Sequence, residues 1–531
     1  AYGKDTDPIY KAIPFYTGLH HDKAYGIFFD NTFQTSFDFA QERRNVTSFW
    51  AQGGEMNYYF FYGPEMSKVV SDYTDLTGTP EMPPLWALGF HQSKWSYFPE
   101  SNVKKIAAKF RSLKIPCDAI YLDIDYMDGF RCFTWDKKKF PDPKAMIQDL
   151  YKDGFKTVVM IDPGIKVDKD YWVYQEDLEN DYFCKRADGP YMKGKVWPGE
   201  CNFPDYTNPE VRTWWAGLFK ELISEIGVKG VWNDMNEPAV MEVPEKTFPP
   251  DVRHNYDGNP CSHRKAHNIY GTQMARATYE GVKKFAYPKR PFVITRSAYS
   301  GAQRYTSSWT GDNIASWEHL WVANIQVQRM CISGMSFTGT DIGGFAEQPN
   351  GELFARWIQL GIFHPFCRVH SSGDHGDQEP WSFGEPYTSI ARKFIELRYQ
   401  GLLDIRRSCR HVAMGATQGL GDSLIDDSQF LQSGRGYTHG LSGRSGMLSR
   451  LPQDSRTAFG CDDGIGRVLQ HIQLVGYAYG DSTTGVRLAC YRGNERRPDP
   501  GHHGHIFRDG LIDTPLLRIH SWIGARCIYK A

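Results

Sequence analysis

Nine polar side chains stand in or just after short apolar runs of this sequence: His91, Asp123, Asp125, Asp162, Asp234, Arg296, Asp312, Asp341 and His370. One aspartate in such a place is most simply a helix cap, its carboxylate accepting free backbone N–H groups of the next helix. Capping has no use for arginine and histidine at the equivalent places, so the set reads as one site. Two carboxylates on separate segments, backed by an arginine, suit nucleophilic or acid/base chemistry. Metal catalysis is the competing chemistry. Histidine and aspartate are available for it, but no His-Glu-x-x-His or comparable ligand pair occurs, so neither a metal nor an organic cofactor is expected.

These residues need a scaffold that presents them together. Eight strand candidates precede or contain them, at 85–90, 119–124, 156–162, 230–235, 292–297, 306–312, 336–342 and 366–370. Helical stretches follow most of them. Residues 102–113 place apolar side chains at helical spacing, and 209–227 begins with Pro and ends at Gly. Repeated βα units of this number predict a closed (β/α)₈ barrel over about 79–402, with the site where the strands end. Two connections, about 166–208 and 238–266, are too long for simple loops and are read as substrate-shaping insertions. Residues 1–78 read instead as short strands between Asn, Gly and Asp turns, part of a β-sandwich ahead of the barrel.

Bulk properties exclude several classes. The chain has 531 residues, 41% hydrophobic and 23% charged, which is a globular composition of more than one domain. A net charge of −1 draws neither nucleic acid nor an anionic membrane. No apolar stretch is long enough for a membrane span. The 11 cysteines are scattered and form no CxxC pair, so neither a zinc ribbon nor a redox motif is indicated. The compartment is left open, cytoplasmic or periplasmic for a bacterial chain, as is the oligomeric state.

Six sequence blocks then carry a resemblance. Val231-Trp232-Asn233-Asp234-Met235-Asn236-Glu237-Pro238 closely resembles the nucleophile motif of glycoside hydrolase family 31. Trp309-Thr310-Gly311-Asp312-Asn313 resembles its acid/base motif, and Ile294-Thr295-Arg296-Ser297 lies between them. The segments 121–128 with 133–136, 339–345 and 368–370 complete the order, at predicted strand ends. The resemblance runs to about residue 400. It implies a retaining, exo-acting α-glucosidase that releases glucose from the non-reducing end of α-linked gluco-oligosaccharides. Asp234 would be the nucleophile and Asp312 the general acid/base, their carboxyls about 5–6 Å apart. Asp123 with Ile124, Arg296 and His370 would hold the glucose ring. Trp197, Trp232, Trp309 and Phe345 would wall it, and Met235 would pack beneath it. Asp341, with Asp125, would either touch the sugar or orient the groups that do. Transglucosylation by the same mechanism, or a catalytically impaired fragment that only binds carbohydrate, are the alternatives.

Two departures accompany the resemblance. The family's sandwich loop that contributes a carboxylate to the sugar site would lie at or before Ala1. Residues 403–531 resemble none of the family's β-rich C-terminal domains. Residues 1–400 hold 28 Lys and 17 Arg, whereas 401–531 hold 1 Lys and 15 Arg. That switch is what a change of codon frame produces, so the segment is expected to be a shifted, poorly ordered reading frame rather than a divergent domain.

Overall fold

The computed structural model of the chain describes residues 2, 3, 6 and 9–406. Its centre is a parallel sheet that closes on itself. Around the ring run Phe90–Gln92, Ala119–Leu122, Lys156–Ile161, Gly230–Asn233, Val293–Thr295, Ser307–Trp309, a seventh strand in two pieces (Thr338–Gly339 and Asp341–Ile342) and Cys367–Val369. The first piece of the seventh strand pairs with the sixth strand and the second piece with the eighth; the eighth pairs with the first. The result is an eight-stranded parallel barrel. Ala119–Leu122 is buried at every position, and so are residues 157–161 of the next strand. Parallel strands covered on both faces are continuously apolar for this reason.

The first strand differs from the sequence reading. Leu85–Leu88 is a single helical turn after Pro84, and the strand begins only at Phe90. The cause lies across the barrel floor. The buried Arg398 guanidinium donates to the carbonyl oxygens of Leu88, Gly89, Ile362, His364 and Pro365, gathering chain ends that have no ladder partner there. His91 therefore lies inside the strand and not at its end. It is fully buried, its ring nitrogens shared with the Tyr121 hydroxyl and the Trp86 carbonyl.

The helices follow their sequence signals. Glu100–Ser112 buries Val103, Ala107 and Phe110. Pro209–Lys220 is capped by the Asn208 side chain and continues into the wider turn Glu221–Ile226. It stops at Gly227, whose φ of 97° is cheap only for glycine.

Ahead of the barrel, Phe15–His20, Lys23–Phe29 and Tyr58–Tyr62 form one antiparallel sheet, and Thr35–Phe39 with Thr47–Ala51 another. Tyr16, Phe29 and Phe37 pack between them. Lys11–Ala12 leaves these sheets and pairs in parallel with Ala298–Tyr299, which carries Tyr10 and Lys11 into the barrel mouth. Between the third and fourth barrel strands, Ile165–Lys166, Lys193–Val196 and Gly199–Asn202 make a small antiparallel sheet. After the fourth, Arg253–His254 pairs with Cys261–Ser262. No described helix is long and apolar enough to cross a membrane. From residue 407 onward, the expectation of a shifted and poorly ordered segment lies outside the described residues.

Candidate active site

The barrel mouth is organised around one guanidinium. Arg296 follows the fifth strand and is 7% exposed. Its Nε lies 3.1 Å from Asp234 Oδ1, which follows the fourth strand, and Nη1 lies 3.9 Å from Asp312 Oδ2, which follows the sixth. Nε and Nη2 also donate to the two carboxylate oxygens of Glu237, each at 2.9 Å. Three carboxylates thus face one cation. Asp234 Oδ1 accepts a second bond, from the Met235 backbone N–H at 2.9 Å. Met235 holds φ at 53°, so the chain turns sharply after the carboxylate and brings its sulfur to 3.1 Å from Arg296 Nη2. Burial pushes Asp234 up to about 6, with the charges of Asp312 and Glu237 adding to the rise and Arg296 opposing it.

On the far side, Asp123 and His370 face each other, Oδ2 to Nε2, at 3.9 Å. Asp123 uses its other oxygen to accept from the Ile124 N–H at 2.7 Å, and Ile124 itself is buried. Burial, with Asp234 and Asp125 nearby, raises Asp123 well above the usual carboxylate range. Burial and Arg368 keep His370 neutral. The His370 ring lies edge-to-face on Trp232 and stacks on Phe345, and its Nδ1 meets the Ser93 hydroxyl at 2.8 Å. Three neighbours therefore set the ring's orientation.

Beneath this rim is a second layer. Trp232 and Trp309 are each 1% exposed and meet edge-to-face at 5.6 Å. The Arg368 guanidinium lies 4.8 Å from the Trp232 ring and 5.0 Å from the Trp309 ring, and donates to Asp341 Oδ1 at 2.7 Å. Asp341 is fully buried and pushed up to about 7 by that burial, against the pull of Arg368. Its place is thus a layer under the rim, beside the groups that orient the pocket. Trp197 comes from the first insertion, is 37% exposed and packs edge-to-face on Trp95 at 4.9 Å. Asp125 accepts from the Ser96 hydroxyl at 2.7 Å.

Four residues of this region, Glu237, Tyr10, Lys11 and Trp95, were not singled out from the sequence, whereas Asp162 was. Glu237 stands in the quoted nucleophile block without a role assigned to it there. Asp162 follows the third strand, with both oxygens buried and without a protein hydrogen-bond partner among the described residues. Tyr10 lays its ring 4.9 Å from the Arg296 guanidinium. Lys11 donates to the Trp309 carbonyl at 2.6 Å, and its burial pulls the ammonium down to about 7. Trp95 backs Trp197. Tyr10 and Lys11 had no signal, since only the pairing of residues 11–12 with 298–299 brings them here.

Residues 80–405 match the family described as the glycosyl hydrolases family 31 TIM-barrel domain, and residues 1–38 its N-terminal galactose mutarotase-like domain. Alpha-glucosidase 2 of Bacillus thermoamyloliquefaciens is 47% identical over 401 residues, 76% of this chain and 51% of that protein. Glucosidase 2 subunit alpha of Schizosaccharomyces pombe is 38% identical, over 74% of this chain and 43% of its own length. The chain spans about half the length of the curated relatives it matches. Among solved structures, the Glc1Man2-bound glucosidase II alpha subunit superposes with a TM-score of 0.73 at 37% identity, covering 77% of this chain and 46% of that one. The family 31 alpha-glucosidase from Bacteroides thetaiotaomicron does so at 0.70 and 39%, covering 77% and 66%. With a closed eight-stranded barrel, its rim of carboxylates and these likenesses, the chain belongs to glycoside hydrolase family 31.

Proposed function

We propose that this chain is a retaining, exo-acting α-glucosidase on α-linked gluco-oligosaccharides, with Asp234 as nucleophile and Asp312 as general acid/base. The observation that carries the reading is the convergence of both carboxylates on Arg296 from the ends of different strands. A carboxylate raised to about 6 is mostly ionised at neutral pH and free to attack. The Arg296 and Met235 contacts hold its Oδ1 in one direction. Asp312 gives a proton to the leaving oxygen, then takes one from water. Three carboxylates against one guanidinium leave excess negative charge, which favours the positive charge that develops on the anomeric carbon. Asp123 and His370 offer an acceptor and a neutral imidazole to sugar hydroxyls. Trp197 and Phe345 flank them, Met235 lies under the ring, and buried Trp232, Trp309 and Asp341 support the floor. The names of the relatives, alpha-glucosidase 2 and glucosidase 2 subunit alpha, support this substrate class. The same reading divides the chain into a partial sandwich at 1–78, the catalytic barrel at 79–402 and an atypical segment at 403–531.

The test is chemical rescue by azide with α-glucosyl fluoride, which needs no acid for its first step. The Asp312→Ala variant should give α-glucosyl azide with retained configuration, because the covalent intermediate forms and azide needs no base. The Asp234→Ala variant should give the β-azide from the vacated face. Reversed anomers overturn the role assignment. Absence of p-nitrophenyl α-glucoside hydrolysis by the unaltered chain favours the reading as a carbohydrate-binding fragment. Transfer products at high substrate concentration favour transglucosylation.

A further inference from the structure

Away from the pocket, three chain segments meet where the two long insertions touch. Residues 182–184 pair with 203–205: Cys184 N–H donates to the Phe203 carbonyl and Asp205 N–H to the Tyr182 carbonyl, each at 2.8 Å. The strand Arg253–His254 joins them through the Arg253 N–H and the Lys185 carbonyl at 2.8 Å. This backbone pairing converges Cys184 Sγ, a carboxylate oxygen of Asp205 and a ring nitrogen of His254 to within 4.8 Å of one another. His254 Nδ1 is 3.0 Å from Asp205 Oδ1 and 3.8 Å from Cys184 Sγ. All three residues are buried.

A second observation points to a cation. Asp177 is fully buried, and neither of its carboxylate oxygens has a hydrogen-bond partner among the described residues. A buried carboxylate without partners costs several kcal/mol unless it is protonated or meets a positive charge. Burial and the Asp181 charge raise Asp177 well above the usual carboxylate range, and its own charge is felt by the Cys184 thiol and by the Tyr191, Tyr206 and Tyr270 hydroxyls.

We propose that Cys184, Asp205 and His254 bind a divalent transition-metal ion of the zinc type, with the Asp177 carboxylate as the next anionic group, and so staple the two insertions together. The donor set is one such ions take, and the chemistry balances. Tetrahedral zinc holds its donors about 3.3–3.8 Å apart, so the 3.0 Å His254–Asp205 pair must open by a few tenths of an ångström while the 3.8 Å His254–Cys184 pair lies at the upper end of that range. One thiolate and one carboxylate neutralise the charge. The second shell is also in place. A ligating imidazole must pass the proton on its other nitrogen to an acceptor. His254 Nε2 lies 2.9 Å from His263 Nδ1, and His263 Nε2 lies 3.0 Å from His267 Nδ1. Without the ion, Asp205 accepts from His254 Nδ1–H and the imidazole chain donates towards it. With the ion on Nδ1, the chain reverses its tautomers and takes up one proton at its far end. The thiol and Nδ1 protons leave, so one proton is released per ion bound.

The probe is Co²⁺ titrated into the full chain after chelator treatment, followed by its visible absorption and thiolate-to-metal charge transfer. The segment beyond residue 406 carries further Cys and His, so the reading is the difference from the near-isosteric Cys184→Ser variant. Wild type should bind one equivalent more, with the charge-transfer band, displaced by Zn²⁺ and accompanied by release of about one proton. His254→Gln should weaken that equivalent at least tenfold. Zn²⁺ should raise the thermal midpoint of wild type and leave that of Cys184→Ser unmoved. Equal stoichiometry and equal spectra for wild type and a folded Cys184→Ser overturn the proposal and leave a hydrogen-bonded cluster only. None of these readouts uses glucosidase activity, so the result stands apart from the proposed catalytic role.

Discussion

Two arginines, one layer apart in the same barrel, are used in opposite ways. Arg296 sits at the mouth with Asp234, Glu237 and Asp312, a cation outnumbered by anions. Arg368 lies beneath, packed against Tyr121, Trp232 and Trp309 and, among the described residues, paired with Asp341. The upper cluster carries unbalanced charge at a place substrate can reach, which is costly for folding and useful for chemistry. The lower pair is buried and joined by a direct hydrogen bond, which fixes the floor. Reactivity here comes from charge imbalance next to an opening, and rigidity from a bonded pair away from one.

Removing Asp234, the proposed nucleophile, should have the largest effect. Asp234→Ala should lower kcat by at least about 10⁴-fold (~5 kcal/mol) on every substrate, in steady-state rates. A variant retaining a tenth of wild-type turnover would break the assignment of chemistry to the upper layer. Next, Arg368→Met should strand Asp341 in an apolar layer and cost about 3 kcal/mol in denaturant unfolding at about pH 9, where the unaltered chain holds Asp341 ionised. With its partner gone, Asp341 must be protonated to stay buried. A carboxyl whose folded value is raised costs stability as pH rises from the unfolded value, near 3.9, through the folded one. Asp341 already stands at about 7 with Arg368 beside it, so the charge-dependent part of the Arg368→Met loss should grow above pH 7 and shrink below it.

The opposite sign is expected above. Asp234 is raised to about 6 in the folded chain, so its ionisation costs stability between about pH 4 and pH 6 and the penalty persists at pH 7. Asp234→Asn removes it and should stabilise the chain by ~2 kcal/mol at pH 7, and by little at pH 4, while abolishing turnover. A destabilising Asp234→Asn would contradict the contrast between the layers. The smallest effect sharpens the same point. Glu237 adds to the rise of Asp234, so Glu237→Gln should move the acid limb of kcat/KM down from about pH 6 by less than about one unit. A limb that moves up would mean that Glu237 acts chiefly by holding Arg296 and not through its own charge.

Legibility in the sequence followed the range of the interactions. Seven of the eight barrel strands lie within their predicted runs: those at Ala119–Leu122 and Lys156–Ile161 are largely apolar because they are buried on both faces, whereas Ser307–Trp309 and the two pieces of the seventh strand are polar and lie in or beside the motif blocks. The first was misplaced because its start is set by Arg398, some 310 positions away. Asp234 and Asp312 stood out because each sits in a compact block of distinctive neighbours. Tyr10 and Lys11 did not, since nothing near them in the chain reports on the barrel mouth. Asp162 was visible as a strand-end aspartate, but its closeness to Asp234 was not.

By itself, the sequence determined the barrel, the family likeness and the two candidate carboxylates, because periodicity and compact motifs are local properties. Tertiary structure alone decided which charges face one another. It placed Glu237 with Asp234 on Arg296, sank Asp341 beneath them with Arg368, and joined Cys184, Asp205 and His254 across two insertions. The physical reason is that electrostatic energy depends on distance and burial. Both are set by how the strands close into a ring and by which segments lie over it, and neither can be counted along the chain.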